Sequence, residues 1–125
     1  RQQGDVSEVH DELATGIATE VHHIFPKSQF PTIATYYENL ILLTSSQHRQ
    51  KAHPKGNTQV VAKDYQLVCL MAKSQTIETS LNEGDNFYRK ESFVGVINTG
   101  LTENLDEAIS FADIRKFLVA KYLTF

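Results

Sequence analysis

The chain has 125 residues, 41% of them hydrophobic and 22% charged, which is enough for one modest core and too little for two independent domains. No apolar run approaches the roughly 18 to 20 residues that span a bilayer, so the composition excludes a membrane span and argues against wholesale disorder. The net charge of −3 argues against a protein that coats nucleic acid indiscriminately.

The charge is distributed unevenly along the chain. Residues 1–20 carry net −4, residues 21–63 carry net +4, and the remainder carries net −3. We interpret residues 1–125 as a single domain with an acidic lead-in (1–17), a motif-bearing middle (18–57) and a helical extension (58–125). A bound polyanion is expected at the middle part, although an ordinary mixed surface also accounts for so small an excess of positive charge.

Cysteine usage and the chain start bear on cellular context. The single cysteine, Cys69, excludes an internal disulfide and favours a reducing, cytoplasmic location. The chain opens at Arg1 and shows no signal-like apolar segment, so a trimmed protein or a fragment of a longer chain is also a reading of the sequence.

The middle part predicts two strands and a short helix. Residues 20–25 are β-branched and aromatic and end at Pro26, which indicates a strand followed by an ordered loop. Residues 40–43 form a second apolar strand. Thr44, with Gln47 three residues later, is typical of a capping box that starts a helix, and Pro54 keeps that helix short.

The tail predicts three amphipathic helices, which together with the strands gives an α+β fold. The first helix is capped by Asp64 and covers residues 64–84, the second covers 85–100 from a cap at Asp85 or Asn86, and the third starts at a capping box of Ser110 and Asp113. Their predicted core-facing residues are Leu67, Leu70, Met71, Ser74, Ile77, Leu81, Phe87, Val94, Ile97, Phe111, Ile114, Phe117 or Leu118, and Tyr122.

Four of the five histidines lie within 32 residues: His22, His23, His48 and His53. The predicted order of strand, loop, strand and helix would bring these histidines to one side of the fold. Packing alone does not explain such a cluster of histidines. Adjacent strand residues point to opposite faces, so His22 and His23 cannot have the same role. His10 has no such neighbours and is interpreted as an ordinary surface or core residue.

Three separated pieces carry a family resemblance: EVHHIFPKS (20–28), ENLILL (38–43) and HRQKAH (48–53). In this order they resemble an HNH endonuclease of the ββα-metal group, over residues 18–57. The resemblance implies a hairpin-plus-helix core that binds one divalent metal ion. It also implies that His23 is the general base, that His22 and His48 are metal ligands, and that Asn39 ties the long loop to the hairpin.

Two features depart from the family pattern. Many relatives space the last histidines four apart, whereas His48 and His53 are five apart, about 140° round an ideal helix. His53 can be a ligand only if the helix unwinds before Pro54; a phosphate contact or a structural bond is the other reading. Many relatives also carry a CxxC zinc ribbon, which a chain with one cysteine lacks, so stability is expected from the helical tail.

The chemistry of phosphodiester hydrolysis also suits histidine as a base and asparagine as a neutral support. Phosphodiester hydrolysis needs a divalent ion beside the phosphoryl oxygens and a base that activates water. An ordinary histidine is mostly unprotonated at neutral pH, and an asparagine can bridge backbone groups without titrating. Flanking phosphates could be bound by Lys27, Arg49, Lys51 and Lys55, among which Arg49 and Lys51 are favoured over a role in solubility alone.

Imidazole ligands favour zinc, nickel, cobalt or manganese over magnesium, although water and phosphate oxygens leave activity with magnesium open.

The expected function is a DNA endonuclease that leaves 5′-phosphate and 3′-hydroxyl ends, as a restriction or phage-defence nuclease or its cleavage domain. The alternatives are a nuclease toxin domain, a metal-stabilised module that binds nucleic acid without cutting it, and an adaptor that recruits a partner through its tail. The expected partner is DNA and not a membrane; a homodimer through the helical tail, or further domains of a longer chain, stay open.

Overall fold

The computed structural model describes residues 6–11, 17–18, 20–48 and 62–123 and confirms a mixed α+β fold. Within these residues no helix has the length and apolar character needed to cross a membrane. Two short 3-10 helices, Pro31–Ile33 and Tyr37–Asn39, lie in the loop between the strands. The strands and α-helices, in chain order, are β1 (Glu20–His23), β2 (Leu40–Leu43), α1 (Ser45–Gln47), α2 (Lys63–Asn82), α3 (Lys90–Leu101) and α4 (Phe111–Leu123).

β1 and β2 form an antiparallel pair in which Glu20 lies opposite Leu43 and His23 lies opposite Leu40. β2 coincides with the predicted apolar strand. β1 is two residues shorter than predicted, because Ile24 and Phe25 pair with Asn39, which precedes β2, and not with the strand itself. Their amide groups both donate to Asn39, Ile24 to its backbone carbonyl at 2.8 Å and Phe25 to its Oδ1 at 2.9 Å.

The predicted capping box at the start of α1 is confirmed. The Gln47 amide donates to Thr44 Oγ1 at 3.2 Å, and the Thr44 amide donates to Gln47 Oε1 at 2.9 Å. These reciprocal bonds satisfy two donors that a helix start would otherwise leave unpaired. They fix the direction in which the chain leaves β2, and therefore the position of the residue that follows α1, His48.

Residues 6–11, the N-terminal segment, lie along the outer edge of β2. The Glu8 amide donates to the Leu42 carbonyl at 3.0 Å, and the Leu42 amide donates to Glu8 Oε2 at 3.0 Å. Gln47 Nε2 donates to the Val9 carbonyl at 2.7 Å. The segment therefore covers a strand edge that would otherwise present unpaired amide and carbonyl groups.

The starts of two tail helices differ from the prediction. α2 begins at Lys63 with Ala62 as its N-cap, and Asp64 lies inside the first turn instead of capping it. α3 begins at Lys90 instead of Asp85 or Asn86, so Phe87 lies outside the helix and is 45% exposed. The later start has a long-range cause, because the buried carboxylate of Glu38 accepts the Arg89 amide at 2.8 Å.

The ends of the tail helices follow local geometry. α3 ends at Leu101 with Thr102 in the left-handed region (φ 55°), one residue beyond the predicted stop at Gly100. Gly100 is required by a close approach, since a Cβ there would overlap the ring of Phe25.

α4 begins after Ser110, whose Oγ accepts the Asp113 amide at 3.1 Å, so the predicted N-cap is confirmed.

The buried face of α2 is rotated from the predicted apolar stripe. Leu70, Ser74 and Ile77 are buried as predicted, whereas Leu67, Met71 and Leu81 are only partly buried. Polar side chains take up part of the buried face, and two of them, Gln66 and Lys73, are satisfied by hydrogen bonds to distant residues. Gln66 Nε2 donates to the Ile24 carbonyl at 2.8 Å and Gln66 Oε1 accepts from the Tyr122 hydroxyl at 2.6 Å; Lys73 Nζ lies 3.1 Å from Glu8 Oε1.

Cys69 lies in this core with no exposed surface, and we expect it to be unreactive in the folded protein. Burial, and to a smaller extent the carboxylates of Glu8 and Asp11, raise the pKa of its thiol. The thiolate is the reactive species, so Ellman's reagent should modify Cys69 only after unfolding in guanidinium. Rapid release of one equivalent of thionitrobenzoate by the folded protein would contradict this placement of Cys69.

Candidate functional site

Asn39 joins the loop between the strands to the end of β1. Its side chain is fully buried, and its Oδ1 accepts the Phe25 amide at 2.9 Å. Its Nδ2 donates to the carbonyls of Phe25 and Ile33 at 3.1 Å and 3.4 Å. One neutral amide side chain therefore satisfies backbone groups on both sides of the loop. A charged side chain at this buried position would lose its hydration, which would cost folding free energy.

His23, the last residue of β1, faces the same loop. Its Nε2 lies 3.1 Å from the carbonyl oxygen of Ala34, one residue beyond the Ile33 carbonyl that Asn39 binds. A carbonyl can only accept, so this hydrogen bond places the ring proton of neutral His23 on Nε2. The lone pair is then on Nδ1, and the half-buried ring can accept a proton there.

The His22 side chain lies on the other face of β1, and the ring of His48, the residue after α1, lies beside it. The His22 ring is 1% exposed, and its centroid lies 5.2 Å from that of His48 with the planes at 64°. Two imidazoles bound to one ion at about 2.0–2.1 Å with a tetrahedral angle have centroids about 5 Å apart. The separation of the two rings is compatible with a shared transition-metal ion and equally with edge-to-face packing of two aromatic rings.

Glu20 contacts the second histidine of this pair. Its Oε1 lies 3.3 Å from His48 Nδ1, with side chains 39% and 19% exposed, respectively. A carboxylate at Nδ1 keeps the proton on that nitrogen and leaves Nε2 with the lone pair that a metal needs. The sequence reasoning missed this residue, although the strand period of two already put Glu20 and His22 on one face.

One further predicted site residue, Lys27, lies among the described residues, and so does His10, which was not predicted to belong to the site. Lys27 is exposed on the loop and His10 is exposed on the N-terminal segment. Over the described ranges, no three histidine, cysteine or acidic side chains form a group that could hold a metal by themselves. Four predicted site residues lie outside the described residues: His53, Arg49, Lys51 and Lys55.

The structure thus places the rings of His22 and His48 together and sets the His23 ring against the loop between the strands. Comparison of the chain with protein-family models, with curated proteins and with solved structures found no match.

Proposed function

We propose that the chain is a metal-dependent DNA endonuclease of the HNH type, with a ββα-metal core at residues 18–57, that acts in restriction or phage defence. The observation that carries the proposal is the loop held by Asn39, whose Ala34 carbonyl orients His23, the chain neighbour of His22 in the His22–His48 pair. A histidine with one nitrogen fixed by a carbonyl and the other left basic is what activation of a water molecule requires.

In the proposed reaction, His23 Nδ1 removes a proton from a water molecule that attacks the phosphorus in line with the 3′-oxygen. A bond forms between the water oxygen and phosphorus, the bond from phosphorus to the 3′-oxygen breaks, and the products carry 5′-phosphate and 3′-hydroxyl ends. The imidazolium that forms is stabilised by the Ala34 carbonyl at Nε2. Lys27, exposed on the same loop, is available to a flanking phosphate.

The divalent ion that this reaction needs would be held by His22 and His48. When bound, it would neutralise charge on a phosphoryl oxygen and on the leaving 3′-oxygen. Two imidazoles favour zinc, nickel, cobalt or manganese, while oxygen atoms of water and phosphate leave room for magnesium. The His22 ring is buried, so it has little conformational freedom left to lose when an ion binds.

The proposal is tested by incubating the purified chain with supercoiled plasmid DNA and a panel of divalent ions, each with and without EDTA. We expect nicked and then linear DNA with at least one transition metal, and no product with EDTA. A ligase that reseals the nicks would verify 5′-phosphate and 3′-hydroxyl ends.

The second candidate is a metal-stabilised module that binds DNA without cutting it. This candidate needs protein ligands beyond His22 and His48, since a structural site usually has four where a catalytic site keeps a position for water, and the described residues contain no group of three. Intact plasmid with every ion, together with retarded migration of the DNA in a gel, would support this candidate over the endonuclease.

Replacement of Glu20 by glutamine should weaken metal binding. Glutamine loses the charge that holds the proton on His48 Nδ1, and loss of such a partner typically lowers metal affinity about 10- to 100-fold. Titration of the apoprotein with Co²⁺, followed by its visible absorption, measures this affinity. Glu107→Gln, at an exposed position in the turn before α4, is the matched control and should bind Co²⁺ like the unmodified chain.

A further inference from the structure

A groove with an apolar lining lies between the N-terminal segment, β2 and α2. Five large hydrophobic side chains that line it are between 42% and 58% exposed, although they lie beside a well-formed core. These groove residues are Val6, Val21, Tyr37, Val68 and Phe87. Such a concentration of exposed apolar surface in one concave place is typical of a site that another molecule covers.

The aromatic end of the groove is fixed before any partner binds. The rings of Tyr37 and Phe87 lie 4.5 Å apart with a tilt of 31°, and the Tyr88 ring contacts Phe87 edge-on at 4.9 Å. Rigid aromatic side chains give up little conformational entropy on binding, and for this reason they are common anchors of protein interfaces.

The charged residues that line the groove are mostly acidic. Glu83 and Asp85 are exposed at the aromatic end, and Asp11 lies on the N-terminal segment. The one lysine among the described lining residues, Lys73, is 2% exposed and is bound by Glu8 at 3.1 Å. Lys73 is therefore not available to an anion, and the groove presents a negative potential to an incoming molecule.

We propose that this groove binds a lysine- or arginine-rich segment of a partner protein that presents apolar side chains along one side. The exposed apolar residues would receive the apolar side, and the exposed carboxylates of Glu83 and Asp85 would face the basic side chains. The same charges disfavour nucleic acid. The groove is distinct from the His22–His48 pair, since Val21 and Leu42 face the groove while the His22 side chain lies on the other face of the sheet.

The probe is a short fluorescein-labelled peptide of lysine and leucine, with the leucines on one side, and binding is measured by fluorescence anisotropy. We expect the lysine–leucine peptide to bind saturably to the chain, with an affinity that falls as salt is added. A matched peptide in which glutamate replaces lysine, and a labelled oligothymidylate, should not bind. The double variants Val68→Ser/Phe87→Ser and Glu83→Lys/Asp85→Lys should each weaken binding about tenfold.

The matched control is Val119→Ser/Leu123→Ser, which alters exposed apolar residues on α4 outside the groove and should leave the affinity unchanged. Circular dichroism establishes that each variant is folded. No saturable binding of the basic peptide, equal binding of the acidic peptide or the oligonucleotide, or an equal loss in the control would overturn the proposal. A concentration-dependent dimer in sedimentation, lost with Phe87→Ser, would overturn it in favour of a second copy of the chain.

Discussion

His23→Ala should lower the rate of plasmid cleavage by about 10²- to 10⁴-fold, because a positioned general base contributes this much to proton transfer. The substitution removes the nitrogen that accepts the proton of water but none of the proposed metal ligands. We therefore expect Co²⁺ to bind the variant with nearly unchanged affinity. Cleavage rates are measured on supercoiled plasmid, and metal affinity is measured in a parallel titration.

The matched control is His10→Ala, which removes an exposed histidine of the N-terminal segment. It should leave both cleavage and Co²⁺ affinity unchanged. If the His23→Ala variant cleaves at a substantial fraction of the unmodified rate, the base assignment is wrong. If it instead loses Co²⁺ binding, His23 is a ligand and not a base.

Asn39→Ala should destabilise the folded chain by about 3 kcal/mol, because it leaves buried backbone groups without partners. The Phe25 amide would lose its acceptor, and the carbonyls of Phe25 and Ile33 would lose a donor. The free energy of unfolding from urea titration measures this loss. Cleavage should also fall at temperatures where the variant is still folded, because the loop would no longer hold the Ala34 carbonyl against His23.

Asn39→Asp separates the shape of the side chain from its hydrogen-bonding pattern. The carboxylate keeps an acceptor for the Phe25 amide but places an oxygen against the two carbonyls that Nδ2 now binds. We expect it to be destabilising at neutral pH although it is nearly isosteric. An Asn39→Asp variant as stable and active as the unmodified chain would show that the donors of Asn39 do not hold the loop.

The elements set by local signals were predictable from the sequence. The capping box of Thr44 and Gln47 starts α1 at the expected position, and Ser110 caps α4 as expected. The β2 strand at Leu40–Leu43 also has its predicted bounds. In each case the deciding interactions are between residues a few positions apart, which a sequence pattern can indicate.

The elements that differ from prediction depend on contacts between distant residues. β1 ends early because Asn39, fourteen residues beyond Phe25, binds its amide. α3 begins late because Glu38 accepts the Arg89 amide. No spacing rule connects such partners before the fold is known.

Burial of Lys73 could not be foreseen from its own position in the sequence. A lysine is rarely buried without a partner, and its partner Glu8 lies 65 residues away on the N-terminal segment. The acidic lead-in was interpreted as a separate part, whereas residues 6–11 contact β2, α1 and α2. The charge pattern showed where the acidic residues were, but not which of them would be buried against the rest of the chain.

At the candidate site, side-chain identities indicated His22, His23, Asn39 and His48, while the groups that orient them were missed. The Ala34 carbonyl is a backbone atom and carries no signal in residue type. Glu20 carried a weak signal, since it shares a strand face with His22, but its partner His48 is beyond β2.

The most direct test is anomalous diffraction from crystals of the chain grown with zinc. We expect one peak between the rings of His22 and His48, at about 2.0–2.1 Å from one nitrogen of each. We also expect that His23 does not coordinate the ion and keeps its Nε2 at the Ala34 carbonyl. A map with no ion between those two rings, or with His23 as a zinc ligand, would contradict the proposed site.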